Sequence, residues 1–145
     1  MANRTLRRRR PDRPRLLAHG ILGAVTQHGA YANLEAARVL SEARLDARDA
    51  GFVTELVAGT CRLLGTYDRI LAAASGRDAF DPPLADALRL GAHQLLSTRV
   101  PPHAAISATV DLAAATVGEK VAGLTNAVLR KVAARDLDGW IEHLS

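Results

Sequence analysis

Residues 49–75 read DAGFVTELVAGTCRLLGTYDRILAAAS, and their apolar side chains return every three to four positions rather than every second one. Val53, Leu56, Val57, Thr60, Leu63, Leu64, Tyr67, Ile70 and Leu71 fall on one continuous stripe when wound at 3.6 residues per turn. As a strand the same residues would scatter over both faces, so this stretch is helix, the longest in the chain. Gly59 and Gly65 weaken it locally and mark places where another backbone comes close.

The same period extends outward in both directions. On the N-terminal side, residues 16–28 place Leu17, Ile21, Ala24, Val25 and His28 on one face before Gly29, and a shorter helix covers 34–43. On the C-terminal side, Asp81, Pro82 and Pro83 form a start signal for 84–97, where Leu84, Leu88, Gly91, Ala92 and Leu95 align. Pro101 and Pro102 break the chain before a helix at 104–117 carrying Ile106, Val110, Ala113, Ala114 and Val117. Residues 120–134 repeat the pattern with Val121, Leu124, Val128, Leu129 and Val132. A last helix, 137–144, is capped by Asp136 and buries Trp140 and Leu144.

The expectation is therefore an all-α fold of about seven helices. Composition agrees: Ala and Leu number 49 against 14 for Val and Ile, which favours helix and excludes an all-β fold. With 145 residues, 48% of them apolar, the chain supports one domain with a single sizeable core.

Charge is far less evenly spread. Arg4, Arg7, Arg8, Arg9, Arg10, Arg13 and Arg15 give residues 1–15 a net charge of +6, which leaves −2 for residues 16–145. The chain thus divides into a basic arm, 1–15, and a mildly acidic helical body, 16–145. Like charges repel along such an arm and keep it unfolded until a polyanion neutralises it, and guanidinium groups match phosphate geometry. RNA or DNA is the expected ligand, with a solvated tail as the alternative. Asn126 and Arg130, four apart on the helix at 120–134, form a second polar pair on one face at the edge of the core, a candidate RNA contact or a local surface hydrogen bond.

Other chemistry is poorly represented. The single cysteine, Cys61, has no Cys/His signature around it and is expected to pack as a small apolar residue in a reducing compartment, the cytoplasm. His19, His28, His93, His103 and His143 show neither HxxxH nor HExxH spacing, so no metal site is expected. No glycine-rich phosphate cradle appears, and no catalytic residue stands out. Residues 16–34 lack charged side chains, but His19, Gly20, Thr26, Gln27 and His28 interrupt them too often for a secretory leader or a membrane span.

Four stretches in order, 52–62 (FVTELVAGTCR), 88–96 (LRLGAHQLL), 100–106 (VPPHAAI) and 126–130 (NAVLR), resemble the NusB-like family over residues 16–135. Alanine in NAVLR, the 55–59 stretch ELVAG and the 94–96 stretch QLL are most similar to the N-terminal domain of bacterial small-subunit rRNA cytosine-5 methyltransferases of the Sun/Fmu type. The resemblance implies two packed helical subdomains and a part in binding or positioning rRNA. Enzymes of that type carry a further domain that binds S-adenosylmethionine and attacks cytosine with a cysteine in a Pro-Cys setting. This chain has only Thr60-Cys61-Arg62, so it is expected to bind no cofactor and to transfer no methyl group by itself. The expected partners are RNA, ribosomal RNA in particular, and a catalytic domain of the same gene product. An antitermination adaptor that binds RNA together with a ribosomal protein is the alternative, and a mainly structural module a third.

Overall fold

The computed structural model describes residues 10–145, and every regular element within them is helical. In chain order these are α1 (Arg13–His28), α2 (Ala32–Ala43), α3 (Ala47–Arg62), α4 (Leu64–Ser75), α5 (Pro82–Ser97), α6 (Pro102–Thr116), a 3-10 turn (Glu119–Val121), α7 (Ala122–Val132) and α8 (Leu137–Leu144). Helices α1, α2 and α3 pack on one another as one group and α4 to α8 as a second, with α5 lying against both α1 and α3 to join them. No helix among the described residues is long and apolar enough to cross a membrane.

Most helix limits follow local chemistry. Asp12, Asp46 and Asp136 each accept a backbone N–H of the first turn they cap; α5 and α6 open on proline, and α1 has Pro14 as its second residue. Gly29 and Gly76 close α1 and α4 at φ 73° and 72°, where a side chain would be strained. Trp140 is buried, and its indole N–H donates to the Val132 carbonyl at 2.8 Å, which fastens α8 to the end of α7.

Three sequence expectations change. The single helix over 49–75 is two, because the chain turns at Leu63 (φ −113°, ψ 23°). A straight helix of that length would run about 40 Å; the bend lets α3 pack on α1 while α4 packs on α5 and α7. On α1 the buried face is rotated to Ala18, His19, Ile21 and Leu22, with His28 exposed, since this helix is covered from two sides. A Cβ on Gly65 would meet open space. One on Gly59 would collide with a side chain, the His93 ring, rather than with another backbone.

Burying each large core side chain, Ile21, Leu22, Leu56, Ile70, Leu88 and Leu112 among them, contributes about 1.5–3 kcal/mol. Two polar networks run through this apolar interior. Asp86, fully buried on α5, accepts from the Thr26 hydroxyl at 2.9 Å, the Gln27 amide at 3.0 Å and Arg89 Nη1 at 2.9 Å. Arg89 also grips Asp68 through two bonds of 2.7 and 2.9 Å. Asp86 thereby ties the end of α1 to α5, and Arg89 ties α5 to α4.

The second network is directional. Glu55 Oε2 lies 2.9 Å from His93 Nε2, and a carboxylate only accepts, so Nε2 carries the proton. Nδ1 then accepts from the Tyr67 hydroxyl at 2.8 Å, whose oxygen accepts from Ser97 at 2.8 Å. Burial holds the His93 pKa below its ordinary value; Glu55 opposes that shift and Arg62 adds to it. The unfolded chain therefore takes up a proton near pH 6.5 while the folded one does so only at lower pH. Stability is fully present above about pH 6.5 and falls below it, by at most about 1.4 kcal/mol per pH unit from this residue. Thermal unfolding of the wild type and of His93→Gln between about pH 7.5 and 5 checks this. The wild-type melting temperature falls more steeply; parallel profiles would remove His93 from the account.

At Gly91, an added Cβ would lie 3.0 Å from both methyls of Leu129 and from the Thr109 methyl. Helices α5, α6 and α7 converge there, at a separation that the missing side chain permits.

Candidate nucleic-acid interface

Arg4, Arg7, Arg8 and Arg9 lie outside the described residues. The arm ends earlier than residue 15, because α1 starts at Arg13 with Asp12 as its cap. Arg10 and Arg13 are exposed. Arg15 is otherwise occupied: its Nε donates to Gln94 Oε1 at 2.8 Å, its Nη1 to Asp12 Oδ2 at 2.9 Å, and its guanidinium stacks 5.0 Å from the Phe52 ring centre. With its side chain only 14% exposed, Arg15 joins α1 to α3 and α5 and is not a free phosphate ligand.

Asn126 and Arg130 are one turn apart on the exposed edge of α7, beside the buried Thr125, Val128 and Leu129. They line an open groove of about 660 Å³ between α7 and α6, opposite His103 and Ser107, with Ile106 and Val110 as apolar lining. The polar residues His103, Ser107, Asn126 and Arg130 have no hydrogen-bonding or ionic partner among the described residues, and no carboxylate lines the groove. The N-terminus of α6, which no side chain caps, opens at the His103 end and adds positive potential.

The groove and the root of the arm share one end of the body. The Thr26–Asp86 and Arg15–Gln94 bonds make α1 and α5 antiparallel, so Arg13 sits at the end where α5 finishes and α6 begins at Pro102. A second cleft, of about 650 Å³, flanks Arg15 but is lined by two acids, Asp12 and Asp49, as well as by Arg15 and Arg48, so it lacks a net attraction for anions.

The sequence pattern of the NusB family matches residues 12–134. The chain belongs to the NusB family. A Mycobacterium tuberculosis protein that carries a methyltransferase name is 46% identical over 141 residues, which span 95% of this chain and 31% of that protein. Ribosomal RNA small subunit methyltransferase B of Pseudomonas putida is 38% identical over 81% of this chain and 27% of its own length. The Thermus thermophilus protein of the same name is 37% identical over 88% and 31%. The chain thus spans about three-tenths of the length of these curated relatives. The solution structure of NusB from Aquifex aeolicus superposes with a TM-score of 0.69 at 22% identity, covering 91% of this chain and 90% of that one, which shows the shared all-helical fold.

In this NusB-family chain, sequence reasoning paired Asn126 with Arg130 but missed His103 and Ser107. The signal was present: two polar pairs at i,i+4 spacing, on consecutive helices joined by a short connection, face each other when those helices run antiparallel. Cys61, half-buried against the core, has its thiol pKa pushed up by burial and by nearby Asp86, against Arg89, which suits a packing residue rather than a nucleophile. No group of three His, Cys, Asp or Glu side chains among the described residues is placed to hold a metal ion.

Proposed function

We propose that this NusB-family chain is the RNA-holding, non-catalytic part of an rRNA cytosine-5 methyltransferase. The observation that carries the reading is the groove of polar side chains, including Asn126 and Arg130, that have no partner among the described residues, at the end of the body where α1 begins. Arm and groove form one interface: the arginines neutralise phosphates without sequence preference, and the groove fixes where the strand lies. In this reading methyl transfer and S-adenosylmethionine belong to a further catalytic domain, a division supported by the methyltransferase relatives, of which this chain spans about three-tenths. The cytoplasm, where rRNA is modified, is the compartment this reading requires.

Salt dependence of binding to a single-stranded rRNA fragment tests the proposal. Four to six phosphate contacts give log K a slope of about −3 to −4 against log salt, at about −0.7 per contact. Truncation must stop at residue 11, because Asp12 caps α1 and positions Arg15. That cut removes Arg4, Arg7, Arg8, Arg9 and Arg10. It leaves a slope of about −1 with the circular dichroism of the body unchanged. An undiminished slope would place binding on the body alone. Absence of RNA binding with recovery of a ribosomal protein from extract would favour the adaptor.

A further inference from the structure

Phosphate attraction accounts for Arg130 and His103, but not for an apolar strip at the groove floor or for a small residue in its wall. Ile106 and Val110 stand one turn apart on α6, and Ala122 and Gly123 face them from the first turn of α7. A Cβ on Gly123 would meet nothing within 4 Å. Core packing therefore does not require the glycine, and a helix would be better served there by alanine. The absent side chain leaves a notch of open space at Gly123, in the wall of the groove that Ile106 and Val110 also line.

From this geometry, and resting on the RNA-holding reading above, we infer that the α6–α7 groove is a receptor for one nucleotide extruded from single-stranded RNA. The base lies in the notch at Gly123, against Ile106 and Val110. The Asn126 amide, which offers a donor and an acceptor together, meets the hydrogen-bonding edge of the base. Arg130 and His103, at the other end of the groove, take the phosphate. The antiparallel course of α6 and α7 fixes this order: His103 and Arg130 lie toward one end, Val110 and Gly123 toward the other, with Asn126 between. A groove of about 660 Å³ is of the size that holds a small ligand, and its lack of an acidic side chain suits an anionic one. No Phe, Tyr or Trp lines it, so affinity for a lone nucleotide is weak and the arm supplies the rest.

The test titrates the full chain with the four nucleoside 5′-monophosphates, ribose 5-phosphate and inorganic phosphate while recording amide, methyl and Asn side-chain NMR signals. Nucleotides are expected to shift the Gly123 amide, the Asn126 side-chain amide and the Ile106 and Val110 methyls. Ribose 5-phosphate and inorganic phosphate should move only signals around His103 and Arg130. In RNA binding, Gly123→Leu fills the notch and lowers affinity about tenfold with the salt slope unchanged, whereas Arg130→Ala reduces the slope by about 0.7. Gly123→Gln, which keeps a polar surface, gives the same loss and guards against a folding defect in the leucine variant.

Identical shifts from nucleotides and ribose 5-phosphate, or full RNA affinity in both Gly123 variants, would overturn the inference while leaving the RNA-holding reading in place. Nucleotide-specific shifts in a chain that fails to bind RNA would do the reverse: the nucleotide site would stand and the RNA reading would fall.

Discussion

Gly59→Ala should destabilise the protein by about 2–5 kcal/mol, although it adds one methyl group to a helix and alanine is the better helix former. The methyl would be driven into the imidazole of His93 and toward the Glu55 carboxylate. His93 is 1% exposed and held at both ring nitrogens, so it moves only by giving up Tyr67 or Glu55. Overpacking costs about 1–3 kcal/mol and each lost hydrogen bond about 0.5–1.5. Gly51 on the same helix is the control: nothing lies within 4 Å of an added Cβ. Its replacement by alanine should stabilise by up to about 1 kcal/mol. Chemical denaturation of both variants, with Gly59→Ala/His93→Ala to close the cycle, measures the coupling. A Gly59→Ala variant as stable as wild type would mean that the ring is not fixed where it lies.

Asp86→Ala should cost a similar amount, about 3–5 kcal/mol, for an electrostatic reason. The carboxylate is fully buried and receives Thr26, Gln27 and Arg89. Removing it leaves one side of a half-buried guanidinium without an acceptor, although Asp68 still holds the other. Asp86→Asn retains the volume and an acceptor oxygen and should lose less, about 1.5–3 kcal/mol. Urea midpoints at constant m-value report both. An asparagine variant as stable as wild type would show that charge at this position is immaterial.

How much of this was legible in the sequence depended on whether a side chain's neighbours lie along the chain. Helix positions followed from the period, and Asp136 and Trp140 behave as their spacing suggests because cap and burial are set within one helix. The longest stripe turns at Leu63, which is itself neither glycine nor proline, and Gly65 two residues on signalled only a local weakening because the apolar period continues through it. Arg15 was indistinguishable from the other arm arginines, since its partners Gln94 and Phe52 belong to α5 and α3. Asp86, His93 and Gln94 are surface residues by type, and only the packed structure shows that they are buried. The NAVLR stretch gave Asn126 and Arg130, while the groove that gives them a common purpose depends on the antiparallel return of α6.

Gly91 has a genetic consequence. Its nearest contact on α7 is Leu129, which stands three residues after Asn126 and immediately before Arg130. The depth at which α7 seats, and with it the spacing of the groove walls, is set from beneath by a position that no ligand can touch. A search for binding-defective variants would therefore return a core glycine alongside the surface residues. The inheritance of the groove's shape is distributed into the interior, and lineages can retune it without altering any residue that lines it.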